Sequence, residues 1–147
     1  MFKNILVTTD GSQFSRNAVR QAATLAKEVG ARITVLYVKR PYLAPYYGDP
    51  IALELPLPSE LEEIAEKEAR TILDAAEKIC FKSGVNCTRL TVSNDVVYQS
   101  IIEAATTNDC DLICMASHGR RGFDALLLGS ETHKVLTHSK IPVLVFR

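Results

Sequence analysis

The sequence that decides the fold is ILVTTDGS at residues 5–12. Its aliphatic and β-branched first half favours a buried strand, and Asp10 and Ser12 then supply side chains that commonly begin a helix. Apolar residues recur at helical spacing over 14–29, and a second apolar run follows at 33–38. A strand, a helix and a strand in such close succession predict a parallel βαβ unit.

The same alternation of strands and helices continues to the end of the chain. We expect three further strands, at 85–92, 111–116 and 141–146. We expect three further helices, one beginning at Ser59, one at Asn94 or Asp95, and one after Gly129. This order predicts an α/β fold with a doubly wound, five-stranded parallel sheet, Rossmann-like, with strand order 3-2-1-4-5 and helices on both faces. We take residues 1–147 as one domain, a size typical of single domains.

The helix that begins at Ser59 is the longest of the four. Ser59 is the expected cap of its first turn, and the glutamates that follow suit the positive end of a helix. The apolar residues of this helix, among them Ile64 and Ile72, recur at helical spacing and predict one buried stripe. The same periodicity places Phe14 on the buried stripe of the first helix.

A long segment at 39–58 interrupts the regular pattern. It holds five of the six prolines and three of the five tyrosines, so we expect a loop there and not a helix. Loops of this length commonly act as lids or partner surfaces. A variable surface connection is an equally good interpretation of the same composition.

The composition argues against several classes of function. Of the 147 residues, 47% are hydrophobic and 23% are charged, and 17 basic residues balance 17 acidic ones. No basic field is present to attract nucleic acid, and Arg120-Arg121 is the one local candidate for such a patch. No apolar run approaches the roughly 18 residues of a membrane span, and the N-terminus is too short for a signal sequence. We therefore expect a cytoplasmic protein.

Several familiar motifs are missing from the sequence. The four cysteines form no Cys-x-x-Cys pair, so we expect reduced and mostly buried thiols instead of a zinc or redox site. Neither the Gly-x4-Gly-Lys-Ser/Thr loop of P-loop ATPases nor the Gly-x-Gly-x2-Gly fingerprint of dinucleotide dehydrogenases occurs.

Glycine and small hydroxyl residues surround the junction that follows the fourth strand. The sequence there is SHGRRG at 117–122, and GSET follows at 129–132, where a helix is expected to begin. Glycine lets the backbone approach a ligand closely, and a helix N-terminus offers unpaired N–H groups and partial positive charge. Ligands of doubly wound sheets bind beyond the carboxyl ends of the strands. We therefore predict a phosphate site, and hence a nucleotide site, where this segment meets the loop over 8–12.

Three segments together resemble the universal stress protein family over essentially the whole chain. They are ILVTTDGS at 5–12, SHGRRG at 117–122 with LLLGS at 126–130, and KIPVLV at 140–145. The nucleotide-binding branch of that family carries a Gly-x2-Gly-x9-Gly-Ser/Thr pattern. The corresponding positions here are Ala116, Gly119, Gly129 and Ser130, so alanine replaces the first glycine. A second and milder departure is Thr8, where the family often has proline.

The resemblance implies binding of ATP or a related adenine nucleotide. It implies that Val38 holds the adenine through its backbone groups and that Met115 and Ala116 flank the base and the ribose. Asp10 is expected beside the ribose or the phosphates, where it would also face a Mg²⁺ or Mn²⁺ ion held by the phosphates. The Glu131 carboxylate has to point away from phosphate, so its amide alone would help. The full set of expected nucleotide-binding residues is Thr8, Asp10, Val38, Met115, Ala116, Gly119, Arg120, Gly129, Ser130, Glu131 and Thr132.

Three functions remain open from the sequence. The first is a nucleotide-binding stress or signalling protein whose occupancy changes its dimer surface or the 39–58 loop, which an unidentified protein partner then reads. The second is an interaction protein that binds no nucleotide, which the replacement at Ala116 motivates. The third is a slow ATP hydrolase that uses Asp10 and a metal ion. Whether the protein is an enzyme stays undecided, because no partner completes a catalytic set with His118, for which we expect a packing role.

The last predicted strand ends the chain at what we expect to be a sheet edge. Exposed edges are prone to pair with other strands, and pairing with a second copy across a two-fold axis would bury Val143, Leu144 and Val145. The family resemblance implies the same homodimer. We expect no nucleic acid and no membrane among its partners.

Overall fold

A computed structural model describes residues 1–41, 56–120 and 127–147. Within these ranges the chain forms five strands, which are β1 (Asn4–Thr8), β2 (Arg32–Lys39), β3 (Cys87–Ser93), β4 (Leu112–Ala116) and β5 (Val143–Phe146). Four helices alternate with them, namely α1 (Gln13–Val29), α2 (Pro58–Ser83), α3 (Val97–Thr107) and α4 (Ser130–His138). Most of the predicted 39–58 loop lies outside the described residues.

The strands form one parallel sheet in the order β3-β2-β1-β4-β5, which confirms the predicted topology. β1 is the central strand, with Ile5 opposite Ile33 of β2 on one side and opposite Leu112 of β4 on the other. The chain leaves β1 towards β2 and β3, and it returns across β1 to form β4 and β5. The strand order therefore reverses between β1 and β4, which is the switch point where doubly wound sheets bind ligands.

Each face of the sheet is covered by two helices. The first core holds Val7 and Val35 under α1 and α2, and the second holds Leu36 and Ile113 under α3 and α4. The residues of α1 that face the sheet are mainly alanines, which let the helix approach the strands closely, and Ala22 among them is fully buried. Burial on both faces explains why the central strands lack the apolar and polar alternation of a half-exposed strand.

The beginning of α1 follows the prediction. Ser12 is the N-cap, and its hydroxyl accepts the N–H of Ser15 at 3.2 Å. Gly30 ends the helix in the left-handed conformation, with φ of 70°. The amide of Ala31 then returns to the carbonyl of Ala26, so the terminal carbonyls of the helix are satisfied.

The predicted caps of α2 and α3 are wrong. The N-cap of α2 is Leu57, two residues before the expected cap Ser59, and the Glu60 carboxylate accepts the N–H of Leu57 at 2.8 Å. Proline suits the first helical position because the missing N–H would have no partner there. The Asn94 side chain accepts the N–H of Val96, which lies just before α3 begins.

Two apolar residues predicted to be buried are exposed. Phe14 is 51% exposed on α1, and Ile64 is 57% exposed on α2. Ile72, on the same predicted stripe as Ile64, is buried beside Gly11 of the loop that follows β1. The first turns of α2 extend beyond the sheet that covers the later part of the helix, so helical periodicity alone overestimates the buried face.

Replacing Ser12 with alanine removes the acceptor of the Ser15 N–H. We expect the free energy of unfolding to fall by about 1 kcal/mol in Ser12→Ala, as is typical for loss of an N-cap, and to be preserved in Ser12→Thr. Urea denaturation followed by circular dichroism measures both. Ser59→Ala is the matched control, because Ser59 is exposed near a helix start and caps nothing among the described residues. Equal losses in Ser12→Ala and Ser59→Ala would contradict this assignment.

Candidate nucleotide site

A cavity of about 590 Å³ opens above the carboxyl end of β1. β1 ends at Thr8 opposite Leu36, whereas β2 continues for three more residues, so the central strand is shorter than its neighbour. The side chains and loops beyond this step form the walls. All of the predicted nucleotide-binding residues lie in the lining, namely Thr8, Asp10, Val38, Met115, Ala116, Gly119, Arg120, Gly129, Ser130, Glu131 and Thr132.

The main chain of Val38 faces the cavity because β1 stops early. The Leu36 carbonyl points towards β1 and accepts the N–H of Thr9 at 2.9 Å. Main-chain groups of alternate residues in a strand point to the same side, so the N–H and C=O of Val38 point towards the position that β1 would occupy if it were longer. β1 has no residue paired there. This geometry gives Val38 one donor and one acceptor, the pair that an adenine edge requires.

The Asp10 carboxylate connects the loop after β1 with the loop after β4. One of its oxygens accepts the N–H of Ser12 at 2.9 Å, and the other accepts the N–H of Arg120 at 2.8 Å. A Cβ atom at Gly119 would lie 2.6 Å from Asp10 Oδ2, so a side chain at that position would displace the carboxylate. Glycine at 119 is therefore required by the position of Asp10.

Asp10 is held in its ionised form. Burial raises the pKa of this carboxyl, but hydrogen bonds from Ser12 and Ser15 and from the Arg120 amide outweigh burial. The net effect lowers the pKa of Asp10 below its ordinary value of 3.8. The floor of the cavity beside the loop that follows β1 thus carries a fixed negative charge. A cation could bind to this carboxylate, and a ribose hydroxyl could donate a hydrogen bond to it.

The first turn of α4 supplies the donors that suit an anion. The amides of Ser130, Glu131 and Thr132 precede the first helical hydrogen bond, which His133 N–H makes to the Gly129 carbonyl at 2.9 Å. These three amides have no hydrogen-bond acceptor among the described residues. The positive end of the helix dipole adds to their field.

Two of the predicted phosphate donors are already in use. The amide of Gly129 donates to the Ser117 carbonyl at 2.7 Å, and the hydroxyl of Thr132 donates to the Ala116 carbonyl at 3.0 Å. Both bonds fix the start of α4 against the end of β4. In this structure neither group is free to donate to a phosphate, and both hold the free amides in position.

The Glu131 side chain points away from these amides, as the sequence predicts. Its Oε2 atom accepts the N–H of Tyr98 at 3.0 Å in the first turn of α3, and Lys134 binds its other oxygen at 3.3 Å. The Glu131 carboxylate thus offsets the partial positive charge at the N-terminus of α3. Asn94 or Asp95 was expected to cap that helix. The Glu131 amide remains free for an anion.

The structure adds cavity residues that the sequence did not indicate. Tyr37 and Lys39 line the cavity beside Val38, and Glu68 reaches it from α2. Tyr37 and Lys39 flank Val38 at the carboxyl end of β2, and ligands of doubly wound sheets bind at such strand ends. The position of this strand end in the sequence could therefore have indicated both residues. Nothing in the sequence of α2 distinguishes Glu68 from the other glutamates of that helix.

Ion pairs connect α2 to the rim of the cavity. Lys39 is only 8% exposed and binds both Glu62 and Glu66, and these hydrogen bonds raise the pKa of Lys39 and lower that of Glu66. Arg120 binds Glu68 at 2.9 Å. Burial raises the pKa of Tyr37, and the nearby Glu68 carboxylate raises it further.

His118 takes the packing role expected of it. Its Nδ1 atom lies 2.9 Å from the Ser117 hydroxyl, and its ring lies 6.0 Å from that of Phe14. The buried Nε2 atom has no partner among the described residues. Among the described residues, no acid is hydrogen-bonded to this ring.

The sequence of this chain matches the universal stress protein family over residues 1–147. The chain belongs to that family. Among universal stress proteins, it is 31% identical over 147 residues to MJ0531 of Methanocaldococcus jannaschii, covering the whole of this chain and 83% of the relative. It is 30% identical over 149 residues to YxiE of Bacillus subtilis, covering both chains completely.

Solved structures share the fold of this universal stress protein domain. Protein MJ0577 of M. jannaschii superposes with a TM-score of 0.79 at 26% identity, covering 99% of this chain and 95% of that one. A universal stress protein solved in complex with cAMP has a TM-score of 0.73 at 22% identity, covering 99% and 97%. One from Archaeoglobus fulgidus, solved in complex with dAMP, has a TM-score of 0.67 at 19% identity, covering 99% and 98%.

Two further features concern the described residues alone. No three or more histidine, cysteine, aspartate or glutamate side chains among them come together as a metal site. None of the four helices is both long enough and apolar enough to cross a membrane.

The low pKa of Asp10 predicts how stability changes with pH. Because the folded-state pKa is below the ordinary value of 3.8, the ionised carboxylate stabilises the fold above that value, and this contribution is lost as pH falls through the folded-state pKa. The stability advantage of the wild type over Asp10→Asn should therefore be largest near pH 6 and shrink towards pH 3. Urea denaturation at several pH values measures it.

Asp95→Asn is the control for that comparison, since Asp95 is exposed and has no hydrogen bond among the described residues. It should leave the pH profile of the wild type unchanged. A constant difference between the wild type and Asp10→Asn from pH 6 to pH 3 would contradict the assigned hydrogen bonds.

Proposed function

We propose that this chain is a stress-response or signalling protein that binds ATP or a related adenine nucleotide in the cavity above β1. The observation that carries the proposal is the convergence of three elements on one cavity. They are the main chain of Val38, the ionised Asp10 and the free amides of Ser130–Thr132. A donor and acceptor pair at one end and an anion site at the other match an adenine base joined to phosphate.

The proposed orientation follows from the chemistry of these walls. The adenine lies at the main chain of Val38, and Met115 and Ala116 flank the base and the ribose. The phosphates lie at the first turn of α4, where the amides of Ser130 and Glu131 are free. Asp10, across the cavity, accepts a ribose hydroxyl or faces a cation.

A divalent cation would enter this site together with the nucleotide. Asp10 is the residue that would hold Mg²⁺ or Mn²⁺, since magnesium sites commonly combine one or two carboxylates with phosphate oxygens. Its two oxygens accept the main-chain N–H groups of Ser12 and Arg120, and a carboxylate offers about four acceptor sites in all. A bound cation would neutralise phosphate charge close to this carboxylate.

We do not propose catalysis as the main function. Phosphoryl transfer usually needs a lysine or arginine on the γ-phosphate in addition to a metal ion. In the described part of the cavity, Lys39 is bound to Glu62 and Glu66, and Arg120 is bound to Glu68. Arg40 also lines the cavity and has no ion pair among the described residues, but it follows the end of β2 and does not lie at the first turn of α4. A signal would instead be carried by occupancy, through the dimer surface or the 39–58 loop, to a protein partner.

Relatives support the class of ligand. Two universal stress proteins of the same fold were solved with cAMP and with dAMP, and both ligands are adenine nucleotides carrying one phosphate. The second candidate, an interaction protein without a nucleotide, is favoured by one observation, the Ala116 methyl group in the cavity wall. Absence of heat and of a thermal shift at millimolar ATP, with and without Mg²⁺, would favour that candidate.

A carboxylate placed on the free amides of α4 tests the phosphate site. In Ser130→Asp the new carboxylate lies at the free amides and repels phosphate. We therefore expect ATP affinity, measured by calorimetry, to fall at least tenfold, which is a loss of about 1.4 kcal/mol of binding free energy. Aspartate in the first turn favours a helix, so the fold should be retained. This variant is cleaner than Gly129→Asp, whose Cβ would lie only 3.0 Å from the Ser117 carbonyl oxygen.

His133→Asp is the matched control, because it adds a negative side chain to the same helix at an exposed position outside the cavity. It should bind ATP as the wild type does. Equal affinity in Ser130→Asp and the wild type would place the phosphates elsewhere.

We also propose that the protein is a cytoplasmic homodimer that pairs through β5. β5 lies at the end of the sheet and pairs with β4 on one side, and Leu144 is 37% exposed on it. Pairing with a second β5 would satisfy the open edge and cover this side chain. The four cysteines are free thiols, which suits a reducing compartment.

Leu144→Lys tests the dimer. A lysine in the paired edge places two like charges near the two-fold axis, so we expect a dimeric wild type and a monomeric variant in sedimentation equilibrium. Val29→Lys is the matched control, because Val29 is 38% exposed at the end of α1 and should leave the dimer intact. A dimer that survives Leu144→Lys would place the interface elsewhere.

A further inference from the structure

A second cavity lies between the first loop and the outer face of α2. It has a volume of about 470 Å³, within the range of small-molecule pockets. Its apolar wall is formed by Ile64, Ile72 and Ala75 of α2, and Gly11 lies at the end nearest β1. Ile64, which the sheet does not cover, is 57% exposed and contributes its side chain to this wall.

The polar rim of this cavity is positively charged. Arg16, Lys67 and Arg120 line it, and Glu68 is the one acidic residue in the lining. Arg120 neutralises Glu68 at 2.9 Å. Arg16 and Lys67 form no ion pair with the residues described, so the described lining has an excess of two positive charges beside an apolar wall.

The second cavity is separate from the nucleotide cavity, although the two are neighbours. The pair formed by Arg120 and Glu68 lines both and forms their common wall. Gly11 stands at this boundary with φ of 79°, and a Cβ there would lie 2.9 Å from Ile72 and 3.2 Å from the Arg120 guanidinium. The left-handed glycine therefore keeps this end of the cavity open.

We propose that this second cavity binds a small organic anion with an apolar body, such as an aromatic carboxylate or sulfonate. The apolar part would lie on Ile64, Ile72 and Ala75, and the anionic group would be held by Lys67 and Arg16. The inference is independent of nucleotide binding, because its apolar wall and its two unpaired cations lie outside the nucleotide cavity.

The probe for this site is 8-anilinonaphthalene-1-sulfonate, a fluorescent anion with an aromatic body. We expect saturable binding of one molecule per chain to the folded protein, and at least tenfold weaker binding of the uncharged analogue N-phenyl-1-naphthylamine. Lys67→Glu should weaken the sulfonate at least tenfold, since it reverses one of the two free charges. Ala75→Phe should abolish binding by filling the cavity.

Lys78→Glu is the matched control, because Lys78 is an exposed lysine of the same helix outside the cavity, and each lysine has an acidic residue four positions earlier. It should bind the sulfonate within twofold of the wild type. If Ala75→Phe fails to fold, Lys67→Glu still decides, because its side chain is exposed.

Three results would overturn the inference. They are the absence of saturable binding, equal affinity of Lys67→Glu and the wild type, and equal affinity for the charged and the uncharged probe. Displacement of the sulfonate by ATP would place the probe in the nucleotide cavity and would also overturn it. Failure of ATP to bind would overturn the proposed function alone, since the Lys67 and Ala75 variants still report on the second cavity.

Discussion

The carboxylate of Asp10 holds together two loops that are 110 residues apart in the sequence. Through the amides of Ser12 and Arg120 it brings the start of α1 to the loop that follows β4. The cavity above β1 exists because these two loops stand side by side instead of closing over the short central strand. Gly119 is required by this same bond, since a side chain there would occupy the position of the carboxylate.

Charge is arranged around this connection so that few groups are left unpaired. The negative Asp10 is satisfied by main-chain donors, and the mostly buried Lys39 is satisfied by Glu62 and Glu66 of α2. A buried lysine without such partners would be costly, so these pairs fix the N-terminal half of α2 at the rim of the site. The free amides of α4 and the Arg40 side chain then remain as the positive groups of the described lining that have no anionic partner among the described residues.

The errors in the sequence analysis have a common physical origin. Ser59 has the right chemistry for a cap, but Pro58 fits the first helical position and moves the helix start before it. Ile64 has the right spacing for a buried stripe, but the sheet does not extend far enough to cover it. The Gly129 amide and the Thr132 hydroxyl have the right chemistry for an anion, but each donates to a carbonyl near the end of β4. Local patterns cannot show which partner a group meets in space.

The sequence alone determined the order of strands and helices, the parallel sheet and its switch point, because periodicity and strand-to-helix alternation are local properties of the chain. It also located the residues that line the cavity above β1, because the ends of parallel strands gather at one edge of a sheet and because the resemblance to the universal stress protein family assigned individual positions there. Only the tertiary structure decided which of their polar groups remain free and that α2 contributes Glu68 to the wall. It alone revealed the second cavity beside α2. These features depend on contacts between residues distant in the chain, and no local pattern encodes such distances.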